Sequence, residues 1–169
     1  MTPVQGPDRE EALNRMVQTY EHDLRRVCAV ILGDASLAQD AVQETFLKAY
    51  RSMDRFRADA SEKTWLMRIA INTCKDMRRS GWLRHVDASV PVDDLPLPVL
   101  PPSVEHIALM NAILALPPKY KAVVLLHCAQ GMTVRETAAA LRITPPAVIN
   151  RLKKARIALR IALEGGADE

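Results

Sequence analysis

The chain is poor in the residues that several protein classes require. Its 169 residues include 6 glycines, 3 cysteines and few aromatic residues (2 Trp, 3 Tyr and 2 Phe). An all-β sandwich needs turn residues every ~8–12 positions, so the scarcity of glycine argues against one. No apolar run reaches the ~18–20 residues that span a bilayer, and we expect no direct membrane insertion. The remaining composition, 49% hydrophobic and 25% charged, is typical of a folded globular protein.

The three cysteines indicate neither a disulfide framework nor a zinc site. Cys28, Cys74 and Cys128 are odd in number, widely spaced and without a CxxC pair. We expect each to fill a core as an inert thiol. His127 precedes Cys128 on a predicted helix, where adjacent side chains diverge, so no metal site is predicted there. The chain also lacks the glycine-rich phosphate loops and the GxSxG motif. We therefore predict no cofactor, and an enzyme is a remote hypothesis.

The prolines divide the chain. None of the 11 lies between Pro7 and Pro91, and apolar residues in that stretch recur at helical spacing. The pattern predicts an N-terminal domain of three to four helices over 8–81, with Gly33 ending its first helix and Ser61 capping the helix that follows a loop. Residues 82–103 are acidic and proline-rich, without periodicity, which predicts an extended linker.

The last part of the chain, 104–163, predicts a four-helix domain and so completes an all-α architecture. Pro117-Pro118 opens its second helix, which is expected to run to Gln130 with Gly131 as the stop. Thr133 and Glu136 form a capping box for a short third helix. After a tight turn at Arg142, Thr144 is expected to cap the last helix. This order is typical of a helix-turn-helix DNA-binding module.

The last helix carries the basic residues of this module. From Arg135 to Arg160 there are seven basic residues and one acidic residue. The apolar stripe that contains Val148 and Leu152 would face the core. The Asn and Arg side chains would then lie on the flanks of the helix, and these residue types read the edges of adenine and guanine. The remaining cations would neutralise phosphates. A solvated basic face is the alternative, but the capping box and the short preceding helix favour DNA binding. The candidate residues are Ile149, Asn150, Arg151, Lys153, Lys154 and Arg156.

The N-terminal domain has two polar surfaces of its own. Its second helix aligns Asp40, Gln43, Glu44 and Lys48 on one outward face, which by itself is usually just solvated. Its third helix aligns a basic strip with an asparagine, which suits nucleic-acid contact. The preceding loop places aromatic residues beside cations, a combination that can hold unpaired bases, although we expect Trp65 to pack in the core. The strip and loop residues are Arg55, Phe56, Arg57, Lys63, Arg68, Asn72, Lys75 and Arg79.

Three strings together resemble bacterial sigma factors: DAVQETFLKAY, then FRADASEKTWLMRIAINTCKDMRR, then LPPKYKAVVLLHCAQGMTVRETAAALRITPPAVINRLKKAR. The resemblance runs from about Glu21 to Leu163. Because nothing substantial separates the two domains, the chain resembles the extracytoplasmic-function (ECF) group. The resemblance implies a subunit that binds core RNA polymerase, directs it to specific promoters and helps to open the −10 region, without catalysis of its own.

The resemblance also implies a separate role for each of the two domains. The 8–81 domain would be region 2, with Asp40, Gln43, Glu44 and Lys48 docking on the clamp of the polymerase β′ subunit. Its loop and basic strip would capture a flipped base and open the −10 duplex. The 104–163 domain would be region 4, which contacts the β flap and reads the −35 element with the six helix residues above together with Thr144 and Ala147. Many relatives have glycine where Arg142 stands, because that position tends to need a positive φ.

Two alternative functions stay open at this stage. The chain could be a stand-alone helix-turn-helix regulator that uses its first domain for dimerisation, or a sigma-like adapter that binds polymerase without opening promoters. The N-terminal residues MTPVQGPDREE lack the pattern of a signal peptide, so we expect a cytoplasmic protein. The resemblance implies an anti-sigma factor as a further partner, which could hold the chain at the membrane.

Overall fold

A computed structural model describes residues 7–56, 60–80 and 103–165, and these ranges contain helices and no strand. The first module consists of three helices, and a 3₁₀ turn at Met53–Arg55 follows the second of them. They are α1 (Pro7–Leu32), α2 (Ala35–Arg51) and α3 (Glu62–Arg79). The all-α prediction for this part of the chain is confirmed. Within the described ranges, no helix is both long enough and apolar enough to cross a membrane.

The second module contains four helices, as its pattern predicts. The second of them, α5, continues into a π-helical segment at Val124–Ala129. The four are α4 (Val104–Leu114), α5 (Pro118–Val123), α6 (Val134–Leu141) and α7 (Pro145–Gly165).

The helix ends follow local side-chain chemistry. The Ser61 hydroxyl accepts a hydrogen bond from the backbone N–H of Thr64 at 3.1 Å, which satisfies a donor that the first turn of α3 leaves free. Thr133 and Glu136 form the reciprocal capping box: Glu136 N–H donates to the Thr133 hydroxyl, and Thr133 N–H donates to the Glu136 carboxylate. Gly33 ends α1 with a φ of 68°. The predicted start of α3, start of α6 and end of α1 are therefore confirmed.

The segment before Gly131 departs from the prediction of one regular helix over 118–130. The backbone N–H of Gln130 donates to the carbonyl of Leu125, five residues back, at 2.9 Å. The chain turns back directly after this segment. His127 Nδ1 lies 2.7 Å from the carbonyl oxygen of Met132, and Gly131 reverses the chain with a φ of 66°. A periodicity argument does not distinguish these wider turns from α-helical ones.

One large hydrophobic core runs through both modules, and a smaller cluster of Leu116, Val124 and Ala155 lies within the second module. The fully buried members of the large core include Leu24 of α1, Leu66 of α3, Leu126 of the π-helical segment and Val148 of α7. Helix α3 packs against α6, and α1 packs against α5. The two modules therefore lie against each other in this structure and do not stand apart.

The cysteine expectation holds for two of the three residues. Cys28 and Cys74 are fully buried, and hydrogen bonding to Cys74 together with burial holds the pKa of the Cys28 thiol well above its usual range. Cys128 is exposed, so the prediction of a buried thiol is wrong there. Leu125 and Leu126 fill the core at this level of the helix, and the residues that follow them turn toward solvent.

Candidate nucleic-acid and polymerase interfaces

The polar face of α2 is divided between solvent and α3. Asp40 and Gln43 are exposed and Glu44 is half-buried on the same face. Lys48 is directed toward α3, where its ammonium group lies 3.2 Å from the Thr73 hydroxyl and 3.6 Å from the Asp76 carboxylate. The first three residues form a surface that a partner could reach, while Lys48 ties α2 to α3.

The loop that precedes α3 brings an aromatic pair together. The rings of Phe56 and Trp65 are 4.9 Å apart and tilted by 42°. Trp65 is half-buried and packs against the core, as expected, and Phe56 is half-buried over it. Arg55 is exposed nearby. Arg57 lies outside the described residues.

The strip predicted on α3 is present, but part of it faces the second module. Lys75 and Arg79 are exposed, whereas Arg68 and Asn72 are half-buried. Arg68 Nε donates a hydrogen bond of 3.1 Å to the carbonyl oxygen of Ala139 in α6.

Lys63, at the start of α3, makes a second contact of this kind. Its ammonium group donates to the carbonyl oxygen of Gln130 at 3.0 Å and lies 3.9 Å from the Asp23 carboxylate. Two of the cations predicted for the −10 element, Lys63 and Arg68, therefore bind the second module in this structure.

The last helix presents the surface that its pattern predicts. Val148, Leu152 and Ala155 are buried, and Leu159 is half-buried behind them. Arg151 and Ala147 are half-buried, between the buried stripe and the exposed face of the helix. The other candidate side chains are exposed to solvent: Thr144, Ile149, Asn150, Lys153, Lys154 and Arg156.

The turn between α6 and α7 has the backbone conformation that the sequence suggests. Arg142 has a φ of 55° and a ψ of 44°, the left-handed region that glycine adopts without strain. The backbone N–H of Arg142 donates to the carbonyl of Ala138 and closes α6. Thr144 then caps α7, with its hydroxyl accepting from Ala147 N–H at 3.3 Å. This turn sets the angle at which α7 leaves α6.

Residues predicted for two different DNA elements meet in one cleft. Lys75 of α3 and Arg151 of α7 both line a space between the modules. Nearby, Lys121 is buried, and burial together with the charge of Arg78 lowers its pKa. The cations of the two modules therefore face one another across the junction.

Sequence reasoning missed an exposed apolar surface on the second module. No residue of α4 is buried, and Val104 is 83% exposed. The end of α7 exposes further apolar side chains, among them Ile157 and Ile161. The available signal is the uncharged run from Ile107 to Pro118, which has apolar residues on every side of the helix.

Two family models match this chain, one on each module. "Sigma-70 region 2" matches residues 16–84, and "Sigma-70, region 4" matches residues 106–159. Together the two matches cover most of the chain and, in whole or in part, each of the seven α-helices that the structure describes.

Three curated relatives agree with these matches. The chain is 40% identical over 91 residues to the RNA polymerase sigma-H factor of Pseudomonas aeruginosa, an alignment that covers 54% of this chain and 47% of that protein. It is 29% identical over 150 residues to the ECF RNA polymerase sigma factor SigM of Mycobacterium tuberculosis, covering 88% and 75%. It is 40% identical over 67 residues to the ECF RNA polymerase sigma-E factor of Escherichia coli, covering 40% and 35%. The chain thus aligns with less than half the length of two of these relatives.

Two solved structures share the fold. The sigma factor RpoE of Bartonella quintana, in complex with the anti-sigma factor NepR, matches with a TM-score of 0.77 at 22% identity over 91% of this chain and 98% of that one. CnrH, in complex with the cytosolic domain of CnrY, matches with a TM-score of 0.72 at 24% identity over 92% and 90%. At these identities the likeness establishes the arrangement of helices.

Proposed function

Because this chain belongs to the sigma-70 family of bacterial sigma factors, in its ECF group, we propose that it binds core RNA polymerase, directs it to specific promoters and helps to open the −10 region. The observation that carries the proposal is the presence, in one chain, of two separate helices with faces suited to DNA, α3 and α7. We assign region 2 to 8–81, the linker to 82–103 and region 4 to 104–163. The polymerase supplies the chemistry, and this chain supplies no catalytic residue.

Region 4 would read the −35 element through α7. Its buried stripe fixes the helix on the module, while Asn150 and Lys153 stand exposed at its start, where a helix enters a major groove. We assign base contacts to Asn150, Arg151 and Lys153, and phosphate contacts to Lys154 and Arg156. Replacing Arg151 should lower dependence on the −35 sequence more than on the −10 sequence. An equal loss at both elements would contradict the assignment.

Region 2 would open and hold the −10 element through α3 and the loop before it. Opening a duplex is unfavourable, and capture of an unstacked base offsets part of that cost. The pair of Phe56 and Trp65 offers an aromatic surface beside Arg55, and Lys75 and Arg79 are exposed further along α3. Lys63 and Arg68 would join this surface once they leave the second module.

Core polymerase would bind on two surfaces. Asp40, Gln43 and Glu44 on α2 would dock on the β′ clamp, and the exposed apolar residues of α4 and α7 would contact the β flap. Replacing Asp40 and Gln43 together with alanine should weaken core association without loss of folding. Gln18, exposed on α1 and therefore away from that face, provides the alanine control. Unchanged core binding in the double variant would refute the docking assignment.

We further propose that the protein acts in the cytoplasm and that an anti-sigma factor holds it inactive, in some cases at the membrane. The relatives RpoE and CnrH were solved in complex with NepR and with the cytosolic domain of CnrY, which supports this proposal by analogy of fold. The anti-sigma factor would have to cover either the DNA faces or the polymerase-binding surfaces.

Reconstituted transcription tests the proposed function. Purified chain added to core polymerase should start transcripts from a cognate promoter, with permanganate-reactive thymines marking the open −10 region. A stand-alone regulator would instead bind duplex DNA tightly by itself and never support initiation. An adapter would bind core polymerase without producing reactive thymines. Either of these results would overturn the proposal.

A further inference from the structure

A cleft of about 320 Å³ lies where the two modules meet, and both modules contribute cations to it. Lys75 and Arg78 come from α3, Lys119 from α5 and Arg151 from α7. Apart from these four cations, the described lining is apolar and contains no carboxylate. Small-molecule sites are typically clefts of ~300–1,000 Å³ with mostly apolar walls and a few placed polar groups. The volume and lining of this cleft fit that description.

One of the four cations, Arg78, is held in place, and none of the four forms an ion pair with a described carboxylate. The guanidinium of Arg78 donates to the carbonyl oxygen of Ile31 at the end of α1, which fixes its position. Beside it, Lys121 is only 7% exposed and forms no ion pair within the described ranges. A cleft lined by one sign of charge with apolar walls concentrates its field. An anion bound there would relieve the repulsion among these cations.

We propose that this cleft binds a compact, multiply charged phosphate compound: an inorganic oligophosphate or the polyphosphate group of a nucleotide. Several phosphates in one short chain match the close spacing of cations from three helices, and guanidinium groups such as those of Arg78 and Arg151 bind phosphate oxygens in pairs. The cleft is too small for duplex DNA, whose major groove alone is ~12 Å wide. The apolar walls, which include Ile71 and Leu141, leave room for a base or another flat group attached to the phosphates.

Such a ligand would keep the two modules together. The cleft exists only while α3 and α7 face each other, and its Lys75 and Arg151 are also assigned to DNA. The −10 and −35 elements are centred about 25 base pairs, or about 85 Å, apart along B-form DNA. A chain closed around the ligand could not place α3 and α7 on both elements. This consequence rests on the proposed function, whereas the binding itself does not.

Titration calorimetry of the full chain with sodium tripolyphosphate at physiological ionic strength tests the site directly. We expect saturable binding of one ligand per chain, and about tenfold weaker binding in Lys119→Ala, which loses one charge-assisted contact. Arg160→Ala removes the same charge from an exposed position outside the cleft and should bind within about twofold of the parent. Thermal melts of both variants check that they fold. Parallel titrations with ATP without divalent metal show whether an attached nucleoside strengthens binding.

Three results would overturn the proposal: no saturable binding up to about millimolar ligand, more than one ligand per chain, or equal weakening in Lys119→Ala and Arg160→Ala. The last two would mean diffuse attraction to a basic surface. Tighter binding of ATP would identify a nucleotide site, and equal binding would identify the phosphate chain as the group recognised. The measurement uses neither polymerase nor DNA, so its failure is distinct from failure of the proposed promoter function.

Discussion

Arg68 of α3 donates a hydrogen bond from Nε to the carbonyl oxygen of Ala139 in α6, across 3.1 Å. The two residues are 71 positions apart and belong to different family regions. Arg68 is also one of the residues that we assign to the −10 element. In this arrangement the Nε–H of Arg68 is bound to the second module, so a DNA contact through that donor requires the two modules to separate.

Arg68→Ala should therefore lower the stability of the whole chain. The bond lies in a half-buried position, and we expect a loss of about 1 kcal/mol, the typical net contribution of an intramolecular hydrogen bond. For a chain of this size that corresponds to a fall of about 2–4 °C in Tm. Differential scanning calorimetry measures it. Arg79→Ala, on the exposed end of the same helix, should change Tm by less than about 1 °C. Equal melting of the two variants would mean that the contact between modules is not populated in solution.

Arg142→Gly should stabilise the chain. A left-handed conformation costs a residue with a side chain about 1–2 kcal/mol, and Arg142 has a φ of 55°. Glycine removes that strain, but it also gives the unfolded chain more conformational entropy, which destabilises the folded state by roughly 0.5–1 kcal/mol. The net gain should be about 0.5–1 kcal/mol, measured by urea unfolding at equilibrium. Arg142→Ala keeps the strain and should gain nothing. A glycine variant that is less stable than the parent would show that the arginine side chain makes a compensating contact.

The features that sequence reasoning found in advance are local ones. Ser61 as a cap, Thr133 with Glu136 as a capping box and the turn at Arg142 each depend on residues within a few positions of one another. The buried stripe of α7 is equally local, since helical spacing alone places Val148 and Leu152 on one side. Side-chain chemistry and periodicity within one segment are enough to predict such features.

The features that sequence reasoning missed depend on contacts between distant parts of the chain. Nothing near Lys63 or Arg68 indicates that they bind carbonyls of the second module, because their partners lie 67 and 71 positions away. The exposure of Cys128 follows from the wider π-helical turns, which change the face that each residue presents. The prediction that Cys128 is buried rests on residue type, which does not register this change of face.

The three thiols should react at very different rates. Cys128 is exposed, whereas Cys28 and Cys74 are fully buried and the pKa of Cys28 is raised, which keeps it protonated and unreactive. An aromatic disulfide reagent should modify one thiol per native chain within minutes and all three after unfolding. Cys128→Ser should abolish the fast reaction. Two or more fast thiols in the native parent would contradict the burial of the Cys28 and Cys74 pair.

Lys121→Met should stabilise the chain at neutral pH, because it removes a buried charge and keeps an unbranched side chain of similar size. Burial, and then the charge of Arg78, lower the pKa of Lys121 from its ordinary value of 10.5. The folded state therefore binds fewer protons than the unfolded state between the lowered pKa and 10.5. Below that window the full cost of the buried charge is present, and across the window the parent gains stability as pH rises.

The advantage of Lys121→Met should accordingly be largest near neutral pH and should shrink as pH approaches 10.5. Urea unfolding of both proteins over that pH range measures the difference. Lys154→Met, at an exposed position of α7 outside the cleft, controls for general alkaline effects and should match the parent throughout. Two results would contradict this prediction: a Lys121→Met variant less stable than the parent near pH 7, or an advantage that stays constant with pH. Either would mean that the ammonium group is solvated or paired in the folded protein. Only a charge that folding disfavours produces a stability difference that disappears as the group deprotonates.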